Sequence, residues 1–332
     1  MGSKTGQLSE KSQPALDRNA GRVARNRMRI AWMYYVEGLT QNEIAEKLGI
    51  GRVTVVRNIN EAIRQREVKV WLEGEIADCT ALEHELKQAL KLDDVVVVPA
   101  PSSPVALSKS IGVAAGMYMS EQLHDDMVIG VGWGSTLYES LQTLSPRNFS
   151  GLEVVSLLGG VVEARRYNPA EFAWQFANTV GADSYLLTAP AIVDSVETKK
   201  ALIERCGLST VIAHAEKMDV ALLSLGGMTA QSTSFRFGFV NENDRASLVA
   251  KGAVGDLLFN YFDVSGQLVD HPINQRVMSI PIDSIRRAPR RIIASGGPEK
   301  IDGLLGAIKL VDCNVLITDE STARGLLSAH GR

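Results

Sequence analysis

Four short apolar runs of the sequence are each followed by glycines, and two of these glycine loops also carry hydroxyl or charged side chains. Glycine lets the backbone approach a ligand closely, and the free amides at a helix start can bind an anion. Hydroxyl groups and a lysine would add donors for a phosphate or a polyhydroxyl compound. The candidate residues are Gly132, Trp133, Gly134, Ser135 and Thr136 in GWGST, Gly159 and Gly160, Gly226 and Gly227, and Gly296, Gly297 and Lys300 in ASGGPEK. Glycines also form ordinary tight turns, but four such loops together favour a binding site.

A second group of residues suited to recognition lies between Gly38 and Arg64. Thr40 and Glu43 have the spacing of a capping box, which predicts a helix that begins at Gln41. The apolar face of this helix would consist of Ile44, Ala45 and Leu48. Gly49 would then end the helix, because glycine adopts positive φ angles at little cost.

A second helix is predicted to start near Gly51 and to expose polar residues on one side. Val55, Ile59 and Ile63 recur at four-residue spacing and would face inward, whereas Arg52, Val53, Val56, Arg57 and Asn60 would face outward. Arg can bind guanine O6 and N7, Asn can read adenine, and Val can contact a thymine methyl group. Together with Thr40 and Gln41, the outward residues are therefore candidate DNA contacts in a helix-turn-helix motif.

The alternative interpretation of this segment is an ordinary helical hairpin with a glycine turn. The distribution of charge favours DNA. Residues 1–77 contain 13 Lys and Arg against nine Asp and Glu, whereas the rest of the chain contains 22 against 29. A basic excess that coincides with the two helices is what phosphate contacts require.

The elements that must position these residues divide the 332-residue chain into several predicted segments. Residues 1–20 are polar and are expected to form a disordered arm. Residues 21–77 would form the DNA-binding domain, with a supporting helix at Arg22–Glu37 and a strand or wing at Glu67–Glu75. Residues 78–92 would form a linker helix, and residues 93–332 a second domain.

Short apolar runs alternate with helical patterns in the second domain, which predicts an open, doubly wound α/β fold. The near-continuous apolar character of the runs is typical of strands that are buried on both faces of a parallel sheet. The runs are Val95–Val98, Met127–Val131, Val154–Leu158, Ser184–Leu187, Val220–Leu225, Arg291–Ala294 and Val315–Thr318. Ligands of such sheets bind beyond the carboxyl ends of the strands, where the glycine loops lie.

Several other kinds of site are disfavoured by the sequence. GWGST lacks the third glycine of a nicotinamide fingerprint and does not match a nucleophile elbow, and no P-loop is present. The three cysteines are far apart and lack metal-ligand spacing, so neither a metal nor a cofactor is expected. An apolar run long enough to cross a membrane is absent, and the chain is expected to be cytoplasmic.

The sequence from Arg27 to Leu327 resembles the SorC/DeoR-type family of sugar-responsive transcriptional regulators. The resemblance is carried by YYVEGLTQNEIAEKLGIGRVTVVR, GVGWGSTL, TAPAIVDS, GAVGD, FDVSGQLV, SGGPEKIDGLLGAI and NVLITDESTARGLL. It implies an effector domain similar to sugar-phosphate isomerases, here used for sensing, and a homotetramer. It also implies ligand contacts at Gly134, Ser135 and Thr136, at Asp256 for hydroxyl groups, and at Lys300 for phosphate. Gly51 and Asn58 depart from the family pattern, which usually has a Ser or Thr cap and an apolar residue there.

These observations predict a regulator that binds operator DNA and responds to a sugar, a polyol or a sugar phosphate. The alternative is an isomerase-like enzyme with an appended nucleic-acid-binding domain. Asp256 could act as a base in such an enzyme, although no carboxylate pair or Cys/His group stands at catalytic spacing.

Overall fold

The computed structural model describes residues 15–65, 67–68, 76–101, 103–147, 149–161, 168–236 and 238–330, with the side chains of 15–22 and 76–77 excepted. The chain divides into two compact units, Met1–Leu72 and Glu73–Arg332, here called the N-terminal and C-terminal units. The strand predicted at Glu67–Glu75 lies mostly outside the described residues.

The N-terminal unit consists of three helices around a small apolar core. These are α1 (Ala15–Tyr35), α2 (Gln41–Leu48) and α3 (Arg52–Arg64). The core residues are Ile30, Met33, Ile44, Val55 and Ile59. Helix α1 begins at Ala15, so residues 15–20, which were expected to be disordered, are helical instead. No proline interrupts the chain between Ala15 and Arg22, so the supporting helix extends towards the N-terminus.

The predicted caps of α2 are present. Thr40 Oγ1 accepts a hydrogen bond from the Glu43 amide at 3.3 Å, and the Glu43 carboxylate accepts one from the Thr40 amide at 2.7 Å. Gly49 follows the helix with φ of 62°, the left-handed conformation that glycine adopts readily. The start and the end of α2 are therefore both encoded locally.

The inner face of α3 differs from the prediction at one position. Val55 and Ile59 are buried, but the third inward residue is Ala62 at 0% exposure, while Ile63 is 39% exposed. A helix turns by about 100° per residue, so a residue seven positions after Val55 returns to the same face more closely than one eight positions after it. Asn58 is half-buried and donates to the Thr54 carbonyl at 2.8 Å, which satisfies its amide on the helix surface.

The C-terminal unit contains a seven-stranded parallel sheet and a three-stranded antiparallel sheet among its described residues. The strands are β1 (Asp94–Val98), β2 (Val128–Val131), β3 (Glu153–Ser156), β4 (Asp183–Tyr185), β5 (Val220–Leu223), β6 (Leu225–Gly226), β7 (Gly255–Leu257), β8 (Asn260–Phe262), β9 (Arg290–Ala294) and β10 (Val315–Asp319). The large sheet has the order β1-β10-β9-β5-β2-β3-β4, and β6-β7-β8 form the small one. All seven predicted apolar runs contribute strands to the parallel sheet, which confirms the α/β prediction.

Helices cover the sheet and connect its strands. They are α4 (Ile76–Leu90), α5 (Pro104–Gln122), α6 (Ser135–Ser140), α7 (Pro169–Val180), α8 (Val196–Arg205), α9 (Leu208–Ala215), α10 (Thr233–Arg236), α11 (Glu242–Ala250), α12 (Pro272–Arg276), α13 (Ile282–Arg287), α14 (Ile301–Leu310) and α15 (Glu320–His330). Helix α4 packs against β1 and α15, so residues 78–90 of the predicted linker helix lie within the C-terminal unit. The sequence patterns did not predict α9 to α13 or the small sheet.

The strand order reverses between β2 and β5. The chain proceeds outward from β2 through β3 and β4, returns to β5 on the other side of β2, and continues through β9 and β10 towards β1. Such a reversal leaves a crevice at the carboxyl ends of the two central strands. In the described part of the chain, no helix is both long and apolar enough to cross a membrane.

Candidate functional site

A cavity of about 550 Å³ lies at the reversal point, beyond the carboxyl ends of β1, β2, β5, β9 and β10. Its lining is rich in hydroxyl groups and contains a few charged side chains. The main polar residues are Ser103, Ser135, Thr136, Ser224, Thr229, Gln231, Ser232, Thr233, Ser234, Asp256, Glu299, Lys300, Asp319 and Ser321. Segments far apart in sequence therefore meet at one edge of the sheet.

The loop after β2 forms one wall of the cavity. Trp133 is buried there, and its ring packs against Phe259 at 5.3 Å and Phe239 at 5.9 Å between centroids. Gly134 has φ of 126°, a conformation that strongly favours glycine, and it leads directly into α6. Thr136 is buried at the start of α6 and lines the cavity. The rings of Phe239 and Phe259 therefore hold the Trp133 side chain in place.

Asp256 supplies a buried carboxylate to the opposite wall. It is 3% exposed, accepts the Phe259 amide at 3.1 Å, and has the Ser234 hydroxyl at 3.5 Å. Burial raises the pKa of this carboxyl to about 6, although the hydrogen bonds and Lys300 act in the opposite direction. The carboxylate also lies against the backbone of Gly226, where a Cβ atom would come within 2.0 Å of Asp256 Oδ1.

The turn that follows Asp256 is strained. Leu258 and Phe259 both have left-handed φ angles, 55° and 60°, and both are buried. Such conformations cost about 1–3 kcal/mol each for residues other than glycine, and they persist only where the surroundings enforce them. Asn260 contributes to that enforcement, because its side-chain amide donates to the carbonyls of Leu257 and Leu258 and to Ser279 Oγ.

Lys300 reaches the cavity from the loop between β9 and α14. Burial lowers the pKa of its ammonium group, while Glu299 and Asp256 oppose that shift. Its Nζ lies 3.5 Å from Ser295 Oγ. The preceding Gly297 donates its amide to Thr322 Oγ1 at 2.7 Å, and the Thr322 hydroxyl donates in turn to Asp319. Asp319 thus supports the loop that carries Lys300.

Six of the predicted effector contacts line the cavity: Trp133, Gly134, Ser135, Thr136, Asp256 and Lys300. Gly132 and Gly297 are buried residues next to lining residues of the cavity but do not line it themselves. The Gly132 amide donates to the Leu222 carbonyl at 2.8 Å. Gly160 lies elsewhere. Its amide donates to the Ala189 carbonyl at 2.7 Å, and it borders a separate groove after β3. The strand-end glycine at Gly160 therefore serves local backbone pairing and does not reach the cavity.

Two groups of lining residues were missed by the sequence patterns. One is the hydroxyl-rich segment QSTS at 231–234, which follows the predicted glycine loop at Gly226 and Gly227. The other is Asp319, the last residue of β10. An acidic residue at the carboxyl end of a buried strand is a signal that could have identified Asp319, because that edge of the sheet carries the ligand.

The candidate DNA contacts form a second, separate surface on the N-terminal unit. Arg52, Val53, Arg57, Asn60 and Thr40 are exposed, while Val56 and Gln41 are half-buried. Arg52 Nε donates to Gln41 Oε1 at 3.3 Å, which joins the first residues of α2 and α3. Val53 is 82% exposed, so its side chain is free to contact a partner.

These features define a class of proteins in which an α/β ligand-binding domain follows a small helical unit. Residues 74–328 match the Sugar-bind family model, which describes a sugar-binding domain. The chain is 30% identical over 300 residues to the deoxyribonucleoside regulator of Bacillus subtilis (strain 168), with 90% of this chain and 96% of that protein covered. It belongs to the family of sugar-binding transcriptional regulators of the SorC and DeoR type.

Other relatives agree with this assignment. The erythritol catabolism regulatory protein EryD of Brucella abortus (strain 2308) is 28% identical over 303 residues, with 90% of this chain and 95% of that protein covered. The crystal structure of the full-length sorbitol operon regulator SorC from Klebsiella pneumoniae superposes with a TM-score of 0.69 and 26% identity. That match covers 92% of this chain and 99% of SorC.

Proposed function

We propose that the protein is a sequence-specific DNA-binding regulator of carbohydrate or polyol catabolism, controlled by a sugar, a sugar alcohol or a sugar phosphate. The observation that carries this proposal is the strand-end cavity. It places a buried carboxylate, an ammonium group and many hydroxyls at the reversal point of the sheet. Family membership adds that the relatives are named as regulators of deoxyribonucleoside, erythritol and sorbitol systems.

The proposed DNA contact is made by α2 and α3 acting as a helix-turn-helix motif. Helix α3 would enter the major groove, where Arg57 and Asn60 can reach base edges and Val53 and Val56 can contact thymine methyl groups. Gln41 holds the Arg52 side chain through the bond between the two helix starts. Arg52 would therefore meet the DNA already oriented.

The proposed effector contact is made in the cavity of the C-terminal unit. Asp256 would accept hydrogen bonds from ligand hydroxyls, and Ser135, Thr136 and the 231–234 segment would donate and accept others. A ligand changes DNA affinity only by binding the DNA-competent and released states with different affinities. Removing its anchors should therefore remove the response without removing operator binding.

Assembly and location follow from the same family likeness. We propose a homotetramer, because a symmetric oligomer would pair its DNA-binding units on operator half-sites. A regulator that binds operators must act where the chromosome is, so we place it in the cytoplasm.

A second function is favoured by one observation. The family resemblance implies an effector domain similar to sugar-phosphate isomerases, and the buried Asp256 carboxyl, with a pKa of about 6, is suited to act as a base near neutral pH. Turnover of aldose and ketose phosphates by the purified protein would support this activity. The regulator remains the better proposal, because the relatives are named as transcriptional regulators.

The experiment that tests the proposal uses DNA selected from a random library by the full-length protein. Arg57→Ala and Arg52→Ala should each weaken binding to the selected sequence by about 1–3 kcal/mol if the arginine contacts a guanine. Arg64→Ala is the matched control, because Arg64 ends α3 and pairs with Glu61 at 2.7 Å. Unchanged affinity in the Arg52/Arg57 double variant would show that α3 is not the recognition helix.

A further inference from the structure

We propose that the effector is an uncharged sugar or polyol and that the cavity discriminates against the phosphorylated form of the same compound. This inference rests on the proposed sensing function and specifies its ligand class. It departs from the role in phosphate binding that the family resemblance implies for Lys300.

The charged side chains of the described lining are predominantly acidic. They comprise three carboxylates, those of Asp256, Glu299 and Asp319, and one ammonium group, that of Lys300. A phosphate monoester carries nearly two negative charges at pH 7. Placing such a group among three carboxylates would require more compensating charge than this part of the cavity holds.

Two of these carboxylates act electrostatically on Lys300. It interacts electrostatically with Glu299 and Asp256, and its Nζ faces Ser295 Oγ at 3.5 Å. Those carboxylates reduce the positive potential that the ammonium group presents to a ligand.

The backbone donors near the cavity lead to the same conclusion. The amides of Gly132, Gly297 and Lys300 donate to protein oxygens, those of Leu222, Thr322 and Gly297 respectively. The start of α6 offers backbone and hydroxyl donors at Ser135 and Thr136, but no cation among the described lining residues accompanies them besides Lys300. Neutral donors of this kind suit a hydroxyl oxygen, whereas phosphate sites usually add arginine or lysine.

The cavity also contains an acceptor that needs a donor from the ligand. Asp256 Oδ1 has the Ser234 hydroxyl only at 3.5 Å, the outer limit for a hydrogen bond, although the carboxylate is buried. A buried carboxylate with a weak partner is costly, so a donor that reaches it contributes strongly to binding. Sugar and polyol hydroxyls provide such donors, and phosphorylation replaces one of them with a group that provides none.

The test compares matched pairs of ligands on the full-length protein. Thermal shift and titration calorimetry would be run with ribose, ribitol, erythritol and glucitol, and with the terminal monophosphate of each. The uncharged member of the best pair should bind at least about tenfold tighter than its phosphate. Its affinity should change little between low and high salt, because a neutral ligand has no charge for ions to screen.

Two variants sharpen the comparison. Asp256→Asn should weaken the uncharged ligand by more than about tenfold, because it removes the charged acceptor. Lys300→Met should weaken it less than Asp256→Asn does and should not worsen discrimination against the phosphate. Lys309→Met, on the exposed face of α14, is the control and should behave as wild type.

The inference is overturned if the phosphate binds tighter than its uncharged partner, with an affinity that falls as salt rises and is lost in Lys300→Met. That result would leave the proposed sensing function intact. If no member of either set shifts the melting temperature or alters operator binding, the proposed function fails together with the ligand assignment.

Discussion

The two units of this protein bring their candidate contacts together in opposite ways. In the N-terminal unit the contacts lie between Thr40 and Asn60, on two helices that pack over a core of five buried apolar residues. In the C-terminal unit the cavity lining runs from residue 101 to residue 321, and a sheet with apolar clusters on both faces holds the loops in place. The first surface depends on local helix signals, whereas the second depends on strand order.

The largest effect should come from removing core volume in the smaller unit. Ile44→Ala should cost about 2–5 kcal/mol, which is a large share of what so small a core can supply. We expect operator binding to be lost at growth temperature while effector binding survives. Ile129→Ala in β2, an equally buried position, is the matched comparison and should impair effector binding instead. Loss of both activities in Ile44→Ala would mean that the units do not fold independently.

A steric change in the larger unit should separate cavity function from folding. Gly226→Ala places a methyl group where the Asp256 carboxylate lies, so Asp256 must move and effector affinity should fall by about 100-fold, or roughly 2.7 kcal/mol. Gly160→Ala is the control, because its Cβ would make only ordinary contacts, with Asn168 Oδ1 at 3.6 Å and the Ala189 carbonyl at 4.0 Å. Calorimetry on both variants measures the difference. Equal effects would place the ligand away from the Asp256 wall.

The pH dependence of effector binding should reflect Asp256 alone. Burial raises the pKa of this carboxyl from its ordinary value to about 6. A ligand that donates to the carboxylate prefers its ionised form, so affinity should fall about tenfold from pH 7 to pH 5.

The stability of the ligand-free protein should show the opposite dependence on pH. The folded protein binds the Asp256 proton more tightly than the unfolded chain does, so the free energy of unfolding contributed by Asp256 decreases as pH rises from about 4 to 6. Asp256→Asn should abolish both trends, and persistence of either in that variant would assign it to another group.

The smallest effect is expected at the helix cap of the N-terminal unit. Thr40→Ala removes the hydroxyl that accepts the Glu43 amide and should lower the stability of that unit by about 1 kcal/mol. Thr40→Ser keeps the hydroxyl and should be nearly neutral. Hydrogen exchange of the α2 amides, which reports the stability of that unit, would resolve the difference. A larger loss of DNA affinity than of stability in Thr40→Ala would indicate that Thr40 also contacts the operator.

The extent to which each region could be predicted follows from the range of its interactions. The capping box at Thr40, the left-handed Gly49 and the four-residue apolar spacing are local, so α2 and α3 were predicted almost to the residue. The buried strands were also clear, because each lies in a near-continuous apolar run. The helices α9 to α13 and the small sheet were not predicted, since they depend on packing against the large sheet.

The cavity shows the same limit. The glycine loop after β2 and the lysine after β9 were identified from their types and positions. Gly160 carries the same signal but serves a backbone bridge to Pro190, which only the tertiary structure reveals. Asp319 was missed, because its role depends on hydrogen bonds to Ser321 and Thr322 that hold a neighbouring loop.

The left-handed turn at Leu258 and Phe259 also bears on the order in which the protein folds. In an isolated hairpin these two residues would disfavour the turn, because bulky side chains disfavour positive φ angles. The hairpin of β7 and β8 can therefore become stable only after Trp133 and Phe239 are in place around Phe259. We expect this hairpin to form late, with mutations there accelerating unfolding more than they slow folding. The Asp256 side of the cavity would then be the last part of the C-terminal unit to become ordered during refolding.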